Sequence, residues 1–486
     1  MNNKELKDNT IFGFIWKILE RMSTQIMSFV VSLILARMLL PQDYGIVAIA
    51  TIFITISNAF VTGGLGTSLI QKKEADELDF STMLYASIGL SIIIYYLLWL
   101  VSPLISNIYN EPQLVDILRV MALRIPFAAI NSIQHAVVAK KMQFKKYFWA
   151  TFTGTLVSGI CGIGMAYNGY GVWALVVQYL LNVVVNTVVM FFIFEWHPRF
   201  EFSYDRFKPL FSYGWKVMAS TVIGTVFNEL KGIILGYKYS SKDLAFYTKG
   251  ESIPVLVSNN VNSTIDMVML PVIASRQTEK SAVKNIMRRM IKVSTYVLWP
   301  ILIGIALIAD VLVEFLFTDN WLPCVPFLQI LCIKSCFSIV GTCNLQAIKA
   351  TGRSDIMLKL EFIKKPIYIM ILLIMMAINP MIIAIGLTIY ELVSVIINAY
   401  PNRNLYNYSL WEQIQDILEC IFPVFFMILG VLLVEIMNIE RPLFEMLVKI
   451  VTGVIAYLLA SIFFRNETFY YLTNLLRTYL KRGEKG

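Results

Sequence analysis

What most limits the fold of this chain is the length of its uncharged apolar runs. Residues 83–108, 155–194 and 367–389 carry no acidic or basic side chain, and a bilayer-spanning helix takes about 20 consecutive apolar residues. With only 15% charged residues, against roughly 25% in a soluble domain, the chain cannot supply a water-facing surface. Residues 1–10 are polar and the apolar stretch after them continues to Leu40. That exceeds the roughly 7–15 residues of a signal-peptide core, so the first helix is expected to stay in the mature protein. Cys332, Cys336 and Cys343 fall on one apolar stretch without a companion cluster of His or Asp. They read as small hydrophobes in a helix, with no metal site or cofactor expected. The net charge of +9 has no soluble domain to present it to nucleic acid, so topology must account for it.

Turn signals and charged breaks divide the chain into helices near 11–39, 44–70, 80–108, 113–139, 147–167, 171–195, 207–237, 243–275, 284–316, 321–349, 356–378, 380–402, 414–438 and 442–464. The fold class is therefore all-α integral membrane, with about 14 transmembrane helices. Alternate connections carry Lys72 and Lys73; Lys140, Lys141, Lys145 and Lys146; Arg199, Arg206 and Lys208; Arg276, Lys280, Lys284, Arg288 and Arg289; Lys349, Arg353 and Lys359; and Arg403. The positive-inside rule makes that face, and both termini with it, cytoplasmic. Connections are short and no soluble domain is inserted. The tail 465–486 has Phe469, Leu472, Leu475, Leu476 and Leu480 among Arg477, Lys481 and Arg482, a pattern that suits a short helix on the lipid surface or a solvated end.

Shifting the chain on itself by about 200 residues aligns Trp16-Lys17 with Trp215-Lys216, Leu35 with Leu235 and Asp43 with Asp243, and a shift of about 210 aligns Leu118 and Val120 with Leu328 and Ile330. The repeat is parallel, because both halves keep one direction after six helices. It implies two pseudo-symmetric six-helix lobes, 1–200 and 201–406, with two added helices in 407–464 and a cytoplasmic tail in 465–486.

Polar side chains within spans are costly and usually face a protein interior or a wet cavity. The first helix carries Lys17, Glu20, Arg21, Thr24, Gln25, Ser28 and Ser32 on one stripe, and its repeat mate carries Lys216, Ser220, Gly224, Asn228 and Lys231, with Glu229 alongside. Asn58 on the second helix is matched by Glu251, Asn259, Asn262 and Asp266 on the eighth, while the fourth adds Arg124, Asn131, Gln134 and His135. The second shift carries Arg124 onto Lys334. These residues predict a hydrated cavity made positive by Arg21, Arg124, Lys216 and Lys334. Such a cavity suits phosphate or pyrophosphate, which Arg binds through paired hydrogen bonds and Lys as a point charge. The competing reading is internal pairing, such as Arg21 with Glu20 or Glu229, or snorkelling to an interface. Glu229, Glu251 and Asp266, with Lys249 nearby, are candidates for ion coupling, though helix-end charges also serve as interface anchors. His135 reads as an interfacial polar residue rather than a proton carrier. Glu361, Lys364 and Lys365 are spaced for pairs along one helix. Helices 3, 5, 6 and 14 look lipid-facing. Gly63, Gly64 and Gly66 suggest close helix packing or a hinge. No catalytic triad, phosphate-binding glycine loop or carboxylate dyad stands out, so the chain reads as a binder and carrier rather than an enzyme.

The run Leu35-Ala36-Arg37-Met38-Leu39-Leu40-Pro41-Gln42-Asp43-Tyr44-Gly45, followed by Gly64-Leu65-Gly66 and Leu69-Ile70-Gln71, resembles the opening of the Wzx-type polysaccharide flippases of the multidrug/oligosaccharidyl-lipid/polysaccharide exporter superfamily. Met142-Gln143-Phe144, Gly169-Tyr170-Gly171-Val172-Trp173-Ala174-Leu175-Val176, Trp196-His197-Pro198 and Phe211-Ser212-Tyr213-Gly214 resemble its WzxC-like branch. The resemblance covers roughly residues 10–406 and is more specific in the first half. It implies two lobes alternating between inward-open and outward-open forms in the bacterial cytoplasmic membrane. The implied substrate is undecaprenyl-pyrophosphate-linked oligosaccharide, with membrane lipids, a polysaccharide polymerase and glycosyltransferases as partners and no nucleic acid. Lipid II flippases of the superfamily have an Arg-acid pair in the first helix, which Glu20-Arg21 resembles in reversed order. The alternatives are a drug/cation antiporter, which needs an acidic cavity, and a membrane polysaccharide polymerase or ligase, which needs a large external loop.

Overall fold

The computed structural model describes residues 3–194, 196–276, 279–437, 439 and 441–483, and among them all regular structure is helical. Among the described residues every predicted span is largely helical. Eleven stretches are long and apolar enough to cross a membrane among the described residues. The regions predicted near 113–139, 243–275 and 356–378 are helical but too rich in charged and amide side chains to join those eleven. The chain divides into two compact units, Met1–Ala245 and Phe246–Gly486.

The first unit begins with α1 (Asn3–Met38) and α2 (Pro41–Thr62), the latter opened by a proline whose missing N–H costs a first turn nothing. The glycines at 63 and 64 separate α2 from the short α3 (Leu65–Gln71). A Cβ on Gly64 would collide with the Gly214 carbonyl oxygen of α9 (Tyr204–Lys238). Only glycine admits that approach, so the glycine cluster serves helix packing. The Thr221 hydroxyl of α9 adds a hydrogen bond to the Gly63 carbonyl at 3.2 Å. α4 (Glu77–Tyr109) starts at a reciprocal cap between Asp76 and Asp79 and stops at Asn110, whose left-handed φ of 53° turns the chain. α5 (Leu114–Ala122), α6 (Arg124–Lys141), α7 (Phe144–Tyr167) and α8 (Val172–Ile193) follow. The α3–α4 connection and the start of α9 are tied together at Asp79, whose carboxylate is fully buried. Lys72 reaches it at 2.5 Å and Arg206 at 3.6 Å, while Arg199 pairs with Glu77.

α10 (Ser241–Ala274) enters the second unit at Phe246. It is followed by α11 (Lys280–Leu307), α12 (Ala309–Leu316), a 3-10 turn at Asp319–Cys324, α13 (Val325–Ala350), α14 (Ser354–Met375), α15 (Pro380–Tyr406), α16 (Leu410–Ile436), α17 (Pro442–Phe463) and α18 (Glu467–Gly483). Lys284, Arg288 and Lys292 rise along one face of α11 at four-residue spacing. They meet Glu412 at 2.6 Å, Asp416 at 2.7 Å and Glu419 at 2.8 Å on α16, and Lys292 also holds Glu467 of α18 at 2.8 Å. Buried amides of Asn344, Asn402 and Gln413 hydrogen-bond α13, α15 and α16 to one another. In lipid, where apolar surface gains nothing by association, interhelical packing and hydrogen bonds of this kind hold helices together. The tail is helical as its pattern allows; Leu476, Leu480, Lys481 and Arg482 have side chains outside those described.

Candidate substrate site

α7 packs tightly on α8 where a Cβ on Gly162 would lie 2.9 Å from the Gln178 Cβ. Gln178 and Asn182, one turn apart on α8, line a cavity of about 310 Å³ within the first unit. Thr155 of α7, Ser28 and Ser32 of α1, Tyr44 of α2, and Leu175 and Tyr179 of α8 complete its wall with Arg124 from the first turn of α6. Arg124 is the one charged residue in that wall among the described residues. Its guanidinium lies 5.6 Å from the Tyr179 ring centroid, and its buried Nε has no hydrogen-bond partner. A half-buried guanidinium facing polar groups and no carboxylate is a binding site for an anion, because desolvation makes an unpaired cation costly until a counter-charge arrives.

Part of the remaining polarity is committed internally. The Tyr44 hydroxyl donates to the Ser32 carbonyl at 3.4 Å, and the Asn182 amide donates to the Thr155 and Ser158 hydroxyls at 3.3 and 3.4 Å. The Gln178 amide and the Tyr179 hydroxyl make no hydrogen bond among the described residues.

The other sequence-predicted residues of this unit lie outside that wall. Lys17 sits over the Tyr147 ring at 5.5 Å, and Glu20 lies against Thr151, Lys17 and Arg21, so the charged stripe of α1 is partly self-compensated. His135 meets the Tyr147 ring edge-on at 5.2 Å. Asn131 bridges α6 to Asn186 of α8 at 3.2 Å, and buried Gln134 reaches the Thr187 carbonyl at 3.4 Å. Asn58 is half-buried with an unpartnered Oδ1, and Gln25 and Glu229 are half-buried. Lys216 and Asn228 are exposed on α9. The cavity thus contains Arg124 but neither Arg21 nor Lys216.

In the second unit Lys334 is paired with Glu251 at 3.4 Å. Glu391 of α15 lies in the field of both Lys334 and Lys364, and Lys364 pairs with Glu361 at 2.6 Å. Two lysines therefore face three glutamates. Asp266 accepts a hydrogen bond from the Gln346 amide, Asn262 keeps an unpartnered Oδ1 and Asn259 is exposed. Lys249, 8% exposed, packs over Phe317 and Trp321 at 4.3 and 5.3 Å.

One expectation is corrected. Helices 5 and 6 of the sequence reading, α7 and α8, are not simply lipid-facing, because Thr155, Gln178 and Asn182 form much of the cavity wall. The signal for them is present: Gln178, Asn182 and Asn186 recur every four residues through an otherwise apolar helix. Glu391, the lone acid of its span, is a further residue whose sequence position marks it.

Residues 34–326 match the model of a family described as polysaccharide biosynthesis protein. The lipopolysaccharide biosynthesis protein WzxC of Escherichia coli K12 is 23% identical over 399 residues, covering 81% of this chain and 80% of that protein. The succinoglycan biosynthesis transport protein ExoT of Rhizobium meliloti is 20% identical over 345 residues, covering 70% of this chain and 69% of its own length. Among solved structures, an inward closed form of the lipid II flippase MurJ superposes with a TM-score of 0.76 at 14% identity, covering 94% of this chain and 99% of that one.

Proposed function

From the premise that the chain belongs to the polysaccharide biosynthesis protein family, we propose that this multi-pass membrane protein is a flippase for polyprenyl-pyrophosphate-linked oligosaccharides. It carries repeat units of a surface polysaccharide across the bacterial cytoplasmic membrane by alternating access and catalyses no covalent step. The observation that carries this reading is Arg124, a guanidinium in a polar cavity whose wall has no carboxylate among the described residues. Its fork of donors matches two phosphate oxygens at once. Arg21 and Lys216 supply further positive potential along the path of the headgroup, while the polyprenyl chain stays in lipid. Alternating access is carried by motion of the two lobes, with both termini in the cytoplasm. Glycosyltransferases on that side make the substrate, and a polymerase on the other consumes it.

Coupling is assigned to the second unit. Glu251 and Glu391 around Lys334 are acids that a proton or cation can neutralise, which frees or ties the lysine. The membrane potential contributes about 2.3 kcal/mol per charge per 100 mV. Deleting the gene in its host and assaying the leaflet of lipid-linked oligosaccharide in spheroplasts tests the reading. Complete repeat units should accumulate facing the cytoplasm, and normal arrival in the outer leaflet would refute it. Drug sensitivity without any change in lipid-linked sugar would point to the antiporter alternative.

A further inference from the structure

The cavity in the first unit has hydrogen-bonding capacity of a kind that phosphate cannot use. A pyrophosphate is all acceptor, and Arg124 offers it donors. The same wall also presents acceptors: the Asn182 amide donates to Thr155 and Ser158, which leaves its carbonyl oxygen to the cavity. Gln178, with one acceptor and two donors on its amide, has no partner among the described residues, and the Tyr179 and Ser28 hydroxyls are likewise uncommitted. A ligand made only of phosphate would leave those acceptors facing its own negative oxygens. A sugar hydroxyl both donates and accepts, so it can satisfy them.

Three further features narrow the occupant. The wall contains no carboxylate among the described residues, which argues against a cation. Tyr179 presents a ring, 38% exposed, beside Arg124, and an aromatic face suits the C–H face of a pyranose. At about 310 Å³ the cavity lies at the lower end of ligand pockets, which run from about 300 to 1,000 Å³. That is room for a ring or two rather than a repeat unit, and exposed Ser28 marks an open side through which further sugars can extend.

We infer that this cavity is a subsite for the sugar attached directly to the pyrophosphate, and that Gln178 and Asn182 are specificity-determining residues that read its hydroxyl pattern. The inference rests on the flippase reading and deepens it: Arg124 recognises what all such substrates share, and the α8 amides recognise what distinguishes them. Gln178 is the better residue to change, because it supports no hydrogen bond among the described residues, whereas Asn182 ties α8 to α7.

The test is equilibrium binding to the full-length protein in nanodiscs. The probes are undecaprenyl pyrophosphate, bare or carrying one glucose, galactose, N-acetylglucosamine or N-acetylgalactosamine. The wild type should bind at least one glycosylated probe about tenfold more tightly than the bare lipid, the worth of one or two hydrogen bonds. Gln178→Met, which keeps the side-chain length and removes its hydrogen bonding, should bring that ratio close to one, and Gln178→Ala should agree with it. Arg124→Gln should weaken every probe while keeping the ratio. A wild type that binds bare and glycosylated lipids equally, or a Gln178→Met variant that keeps the full ratio, overturns the subsite. A wild type that binds none of the five overturns the flippase reading itself, and the subsite with it, which is a distinguishable result.

Discussion

Within Met1–Ala245 a cation faces a polar cavity with no carboxylate in its wall, whereas within Phe246–Gly486 the cation at the repeat-related position is held by acids. A shift of about 210 residues carries Arg124 onto Lys334, yet their electrostatic situations are opposite. Lys334 lies 3.4 Å from Glu251 and in the field of Glu391, while Arg124 has an aromatic ring beside it and, among the described residues, no carboxylate in its cavity wall. Two cations that a shift of about 210 residues brings into register therefore need not share a role. What decides the role is whether the fold supplies the counter-charge or leaves that to the ligand.

The largest test of this contrast is functional. Arg124→Gln should lower transport of lipid-linked oligosaccharide by about a hundredfold at equal abundance in the membrane, as expected for losing a charge-assisted pair of hydrogen bonds. An Arg124→Gln variant that loses less than Lys334→Gln would break the comparison. The next test is energetic. Lys334→Met should destabilise the detergent-solubilised protein by about 1–3 kcal/mol by removing the cation beside Glu251 and Glu391, and Glu251→Met added to it should recover most of the loss. Thermal unfolding of the single and double variants measures this, and simple additivity would show that the pair is not coupled. For the first unit, Gly162→Val should cost a similar amount, about 1–3 kcal/mol, by forcing α8 away from α7. It should also impair substrate binding, and a variant with full affinity would mean the helix contact does not shape the cavity.

The smallest expected effect concerns pH. The hydrogen bond from Lys292, and then the positive field of Lys292, Arg288 and Arg289, hold the Glu467 carboxyl below its ordinary value. The tie between α18 and α11 is thus at full strength above the ordinary carboxylate pKa of about 4.3 and is lost as pH falls through the lower value of the folded state. Hydrogen exchange of α18 should be flat from neutral pH down to that range and rise only below it. Glu467→Gln should remove the pH dependence, and an onset near neutral pH would contradict the assignment.

Much of this was legible in the sequence, because uncharged runs longer than a bilayer is thick have few alternatives to helix. The glycines at 63 and 64 announced close packing, which α9 realises. Arg124 stood out because the repeat pairs it with another cation. What composition concealed was polarity at low density. Gln178 and Asn182 sit in a helix so apolar that it read as lipid-facing, and only their four-residue spacing sets them apart. The pairing of Lys334 was hidden for a different reason: Glu251 and Glu391 lie far from it in sequence, and only the packing of α10, α13 and α15 brings them near. Lys284 and Arg288 read as loop charges marking the cytoplasmic face, and the fold also uses them as rungs between α11 and α16.

The central claim is that the protein moves lipid-linked oligosaccharide and that Arg124 grips its pyrophosphate. The most direct measurement reconstitutes wild type and Arg124→Gln into sealed vesicles carrying undecaprenyl-pyrophosphate-linked oligosaccharide in both leaflets, with periodate added outside as an impermeant oxidant. The account expects the wild type to expose the protected inner-leaflet sugar to oxidation and the variant to leave it protected. Equal protection in both, at a level matching protein-free vesicles, would contradict the transport claim, and equal exposure in both would contradict the role given to Arg124.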